Sequence, residues 1–171
     1  MDRSLRFTLV SAALLAAALL IQTTVLEHVA IRGIKPDLAL IVLVFVAVQG
    51  GAMAGQVAGF AAGLAQDLLS LSPLGLGAFV RTIIGHVYGR LQGALASSSV
   101  LASVVMVFAA TVVKGALLWL VTSLLAPDHR VTLTVGSLIE LAYNAALAPL
   151  LFAGLGRVRS LRAVEKKEAG A

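Results

Sequence analysis

Long apolar stretches alternate with short polar breaks along almost the whole chain. A bilayer span needs about 20 mostly apolar residues, fewer where it is tilted or shielded by protein. On that scale the pattern predicts six spans, at about Phe7–Leu26, Pro36–Val48, Ala52–Leu69, Leu74–Leu91, Val100–Leu125 and Leu133–Leu155. The breaks carry the residues expected of turns. Glu27, His28, Arg32 and Lys35 mark the first, Gln49-Gly50-Gly51 the second and Ser70-Leu71-Ser72-Pro73 the third. Small residues from Gly93 to Ser99 form the fourth, and Ala126-Pro127-Asp128-His129-Arg130 the fifth. Spans two and three are short and rich in glycine. A re-entrant hairpin in their place would lower the number to five or four.

Inside this pattern lies a second one. Gly51, Gly55, Gly59, Gly63 and Asp67 recur at spacing four, which places them on one stripe of a helix. Arg81, Gly85, Gly89 and Gly93 repeat the spacing on the fourth span. Bare stripes let backbones approach, and that is how helices associate where water cannot drive them together. The two stripes are expected to face each other in a close antiparallel hairpin.

Composition agrees with a membrane protein. The 171 residues are 60% hydrophobic and 12% charged, and the mean hydropathy is +1.01. A soluble domain is about 45–50% apolar and about 25% charged. The expected architecture is therefore an all-α integral membrane protein. Residues 1–156 form a single transmembrane domain and residues 157–171 a basic cytoplasmic tail. The first apolar run, about 20 residues, exceeds the 7–15 of a signal-peptide core, so it reads as an uncleaved first span.

The net charge of +5 does not point to nucleic acid, because the basic residues cluster at the chain ends and no basic face is interleaved with aromatics. They read as topogenic instead. With both termini inside, the inner segments carry eight basic residues: Arg3, Arg6, Arg90, Arg157, Arg159, Arg162, Lys166 and Lys167. The outer loops carry three, Arg32, Lys35 and Arg130. The positive-inside rule then puts both ends in the cytoplasm, and the tail is expected to touch anionic lipid.

Four ionisable residues fall within the apolar spans or at their ends: Asp67, Arg81, Lys114 and Glu140. Each costs about 2.5–3.5 kcal/mol at a span centre unless paired. Depth suggests two structural ion pairs, Asp67–Arg81 and Lys114–Glu140, with Asn144 beside Glu140 at i+4. The alternative is a proton or substrate path, as in a proton-coupled channel or flippase. His86 is alone in mid-span and reads as a hydrogen-bonded core residue, and Pro149 as a kink. Cysteine is absent, and the three histidines are too scattered for a metal site. No nucleophile elbow, phosphate loop or metalloprotease motif occurs, so neither catalysis nor a cofactor is expected.

The hinge Gly33-Ile34-Lys35-Pro36-Asp37-Leu38 and the run Gly55-x3-Gly59-Phe60-x2-Gly63-Leu64-x2-Asp67-Leu68-Leu69 resemble the signature of the MreD family of rod shape-determining membrane proteins. Pro73-Leu74-Gly75-Leu76-Gly77-Ala78 and Gly85-x3-Gly89-Arg90-Leu91 are similar to it as well. The motif-bearing part covers about Gln22 to Gly93. One departure is Gln66, where the family is usually apolar.

The resemblance implies a non-enzymatic subunit of the bacterial cell-elongation machinery in the cytoplasmic membrane. It also implies the partners: a bitopic MreC-like protein, a SEDS-type glycosyltransferase, a class B penicillin-binding transpeptidase and, indirectly, the actin-like MreB. The expected fold is then similar to the six-helix substrate-binding subunits of energy-coupling factor transporters. Partner contact is expected at the glycine stripes and at Gly33, Pro36 and Asp37. A vitamin-binding transporter subunit is the alternative. It is favoured by the alanine stripes Ala12-x3-Ala16 and Ala13-x3-Ala17 and disfavoured by the few aromatic or polar side chains available to cage a ligand.

Overall fold

The structure, a computed structural model, describes residues 3–26, 30, 33–70, 73–92, 100–125 and 134–158. Among them the chain is helical: α1 (Arg3–Thr24), α2 (Leu38–Leu69), α3 (Leu76–Arg90), α4 (Val100–Leu125) and α5 (Val135–Leu155). Four of these, α1, α2, α4 and α5, are long and apolar enough to cross a membrane. The fourth stretch of the sequence pattern is the 15-residue α3, about 22 Å long at 1.5 Å per residue and short for a full crossing. The Gly93–Ser99 and Ala126–Arg130 breaks and nearly all of the tail fall outside the described residues.

The second and third expected spans lie together in α2, which is broken at Gly51 (φ 84°, ψ 179°). That backbone is in the region L side chains avoid, so glycine is required there. The break reverses the chain. A Cβ built on Gly55 would fall 2.9 Å from the Cβ of Ala47, although eight residues of unbroken helix span ~12 Å. Residues 38–50 and 52–69 are therefore two antiparallel arms.

The first arm is the central post of the bundle. Every residue from Ala39 to Val48 is at most 6% exposed, and a helix apolar on all sides belongs in such a place. One face, with Val42, Phe45 and Val46, packs against Phe7 and Leu15 of α1 and Ala62 of the second arm. Another, with Leu40, Val44 and Ala47, meets Val80 and Ile84 of α3 and Met106 and Ala110 of α4. The third presents Ile41 to Val107 of α4 and Ala148 of α5. Phe45 also meets Phe152 of α5 edge to face, with centroids 5.2 Å apart. Helix α5 runs through Pro149 to Leu155.

The second arm and α3 meet along the glycines. A Cβ on Gly55 would strike the Gly85 carbonyl oxygen, one on Gly59 the Arg81 carbonyl and one on Gly63 the backbone of Ala78. At the other end, a Cβ on Gly89 would lie 2.5 Å from the Cα of Ala52. The pairings run in opposite directions along the two helices, so the contact is antiparallel and backbone to backbone. Gly93, the last step of the second stripe, lies outside the described residues.

Candidate functional site

A cluster of charged and amide side chains lies near one end of the central post. Asp37 stands just before α2, where a short acceptor satisfies an orphan backbone N–H, and its Oδ1 accepts from Leu40 N–H at 3.0 Å. Its Oδ2 accepts from Arg81 of α3 and from Lys114 of α4, each at 2.8 Å. Lys114 also pairs with Glu140 of α5. The Arg81 nitrogen that meets Asp37 donates in addition to Gln66 Oε1 of the second arm at 2.7 Å. The backbone N–H of Asp37 donates to Asn144 Oδ1 at 2.8 Å, and Asn144 Nδ2 donates to Thr111 Oγ1 at 3.1 Å. Helix α1 joins through Gln22, whose Oε1 accepts from Ala39 N–H at 3.4 Å. The Asp37 carboxylate thus joins α2, α3 and α4 directly and α5 through Lys114, while α1 is tied to the neighbouring backbone by Gln22.

The network is buried and charge-balanced. Asp37 and Arg81 are 3% and 5% exposed, and Asn144 is fully buried. Two carboxylates, Asp37 and Glu140, face two cations, Arg81 and Lys114. In low dielectric such groups are tolerable only when paired and hydrogen-bonded. The charges balance, two against two, so the set is a charge-neutral clasp between helices, with the Nε of the Arg81 guanidinium left without a partner among the described residues. Among the described residues no group of His, Asp or Glu gathers in a way that would hold a metal ion.

The structure corrects one expected pair. Asp67 does not hold Arg81. Its two carboxylate oxygens accept from the backbone N–H groups of Gly75 (2.9 Å), Gly77 (3.2 Å) and Ala78 (3.1 Å). These are the orphan donors at the start of α3, where the helix dipole also favours an anion. Arg81 instead reaches Asp37, which the reversal at Gly51 brings alongside. The other expected partners, Lys114 and Glu140, are in contact. Asn144 enters the network through Asp37, and His86 meets Gln56 Nε2 at 2.8 Å through its Nδ1.

The hinge residues divide. Gly33 is exposed with φ 77° and open space around it. Pro36 is buried and Asp37 is the hub of the network, so neither presents a free surface. Sequence reasoning passed over Gln22, Gln66 and Thr111 as network members. Gln66 did carry a signal, being polar where an apolar residue was expected.

If Asp67 works as a cap, Asp67→Ala should lower thermal stability in detergent by about 1–2 kcal/mol, the range for losing a helix cap. Asp67→Asn should recover part of this, since one amide oxygen still accepts. A role as an ion-pair partner would give equal losses for Asn and Ala.

Every described ionisable group within the apolar core is thus bonded to another part of the same chain, and four helices are fit to cross a bilayer. No curated protein and no solved structure matches the chain. The family model for rod shape-determining protein MreD matches residues 1–156, all five helices included. The chain belongs to the MreD family and is a multi-pass membrane protein of the rod-shape system.

Proposed function

We propose that the protein is a non-catalytic scaffold of the cell-elongation machinery, set in the bacterial cytoplasmic membrane with both termini in the cytoplasm. The observation that carries this reading is the self-contained polar interior of a family member. Among the described residues its buried charges pair with one another between α2, α3, α4 and α5 or, for Asp67, are held by backbone N–H groups, and none of these is left to move a proton or bind a charged substrate. What the molecule offers a partner is its outside.

The glycine stripes are occupied within the chain, so they serve partners only by holding α2 and α3 in place. Partner helices are left the outward apolar faces, above all those of α4 and α5. Phe108, Trp119 and Leu138 there are 46%, 49% and 65% exposed. Aromatic side chains such as Phe108 and Trp119 act as anchors once a partner buries them. A bitopic MreC-like protein is the first candidate for such a face. The SEDS-type glycosyltransferase and the class B penicillin-binding transpeptidase follow, and MreB is engaged indirectly.

Purification from native membranes in mild detergent, by a C-terminal tag, should recover the MreC-like and wall-synthase subunits. Deleting the gene should round or kill rod-shaped cells. Normal rods in its absence, or purification without any of these subunits, would sink the scaffold reading.

A further inference from the structure

Two polar side chains stand on the outside of the bundle, within its apolar length. Gln56 of the second arm and His86 of α3 meet through Gln56 Nε2 and His86 Nδ1 at 2.8 Å, and both are partly exposed. Gln56 lies five residues, or ~7.5 Å along its helix, from the reversal at Gly51. The outer face that the two helices share around this pair is apolar. Met53 and Phe60, at helical spacing from Gln56, and Phe79, two turns from His86, are each more than half exposed.

One hydrogen bond does not satisfy the pair. A neutral imidazole has one donor and one acceptor nitrogen, and an amide has a donor side and an acceptor side. Whichever tautomer and amide orientation the pair adopts, the contact uses one donor and one acceptor and leaves one of each. Among the described residues neither of these remaining atoms has a partner. Thr82, one turn away on α3, already donates to the Ala78 carbonyl at 2.7 Å. Arg90, one turn away in the other direction, is exposed and carries donors only, so it cannot meet the pair's own donor. In lipid an unmet polar group is costly, and polar side chains within a span act as glue between helices.

The pair is complementary to itself. In a two-fold dimer residue i of one copy meets residue j of the other, and j meets i. An axis along the membrane normal keeps every residue at its own depth. Gln56 and His86 are already level, since they are bonded to each other. A second copy therefore brings an acceptor to the free donor and a donor to the free acceptor, with no adjustment of depth. The glycines contribute as well. They hold the backbones of the second arm and α3 in contact, so the outer faces of the two helices form one plate that can close around the bonds. We propose that this plate is a homodimer interface, in which Gln56 and His86 of the two copies bond reciprocally. It leaves the faces of α4 and α5 open, and it stands whichever wall-synthesis partners the protein binds.

The chain has no cysteine, so single introduced cysteines report contact directly. Of Met53→Cys, Phe60→Cys and Phe79→Cys, oxidised in native membranes, at least one should link into a species of twice the chain mass. Ala13→Cys and Leu138→Cys, exposed on α1 and α5, should not. Fluorescently labelled copies of the purified protein should also associate in phosphatidylcholine vesicles, as energy transfer between them measures. His86→Leu combined with Gln56→Leu should weaken that association about five-fold or more, the worth of two interhelical hydrogen bonds, while its melting temperature shows that each chain still folds. Purified protein that stays monomeric in vesicles, unchanged association in the double variant, or cross-links confined to the α1 and α5 positions would overturn the proposal. So would cross-links from the α2–α3 face that reach only a different protein, since another chain's helix then covers the pair.

Discussion

Asp37→Asn should lower the stability of the purified protein by about 3–5 kcal/mol, the cost of breaking a buried ion pair from one side. Domains are stable by only about 5–15 kcal/mol, so this substitution alone removes a large share and should cut accumulation in the membrane. The reason is stoichiometric. Asp37 is the shared acceptor for Arg81 and Lys114. Without its charge, two buried cations face a single carboxylate, Glu140. Asparagine still offers an oxygen to Leu40 N–H, so the cap survives and the loss reports on charge. Adding Arg81→Gln removes the surplus cation. The double variant should therefore recover part of the loss, with a deviation from additivity of about 0.5–3 kcal/mol. Thermal unfolding of the four proteins in one detergent measures it. Simply additive losses would mean that the two groups do not act as a pair.

This network also shows where sequence reasoning stops. Apolar length and spacing are local properties, so the membrane class, the stripes of Gly51–Gly63 and Gly85–Gly89, and the break at Gln49-Gly50-Gly51 are all visible in the chain. Pairing of charges is not local. Position along a span gives a residue's depth, and depth alone puts Asp67 within reach of Arg81. It does not give the side of the helix a residue faces, nor what lies closer. Three backbone N–H groups at the start of α3 take Asp67 first. Asp37 sits at the very start of the second apolar run and reads as part of a hinge. Only the reversal at Gly51 shows that it lies beside Arg81 and Lys114. An aspartate directly before an apolar helix is nonetheless a capping signal, and weighing it would have moved Asp37 from the surface to a helix start. Gln66 gains its meaning the same way, as the second acceptor for Arg81.

Gly55→Ala and Gly85→Ala should each damage the protein as much as any single substitution in it, while Gly154→Ala should be neutral or slightly stabilising. All three are helical glycines, and by propensity alone alanine is favoured in a helix by about 0.5–1 kcal/mol. What differs is the space. A methyl on Gly55 meets the Gly85 carbonyl and one on Gly85 meets the Gly55 carbonyl, whereas Gly154 has nothing within 4 Å. Overpacking a core usually costs about 1–3 kcal/mol because side chains can shift. Here the opposing atoms are backbone, and they can give way only if α3 moves off α2. Such a shift would carry Arg81 away from Asp37 and the start of α3 away from Asp67, so the steric and electrostatic losses should fall together. Melting temperature and yield of the three variants, prepared side by side, decide the matter. If Gly55→Ala and Gly85→Ala melt like Gly154→Ala, the backbones are not in contact, and the close approach of α2 and α3 does not hold the clasp.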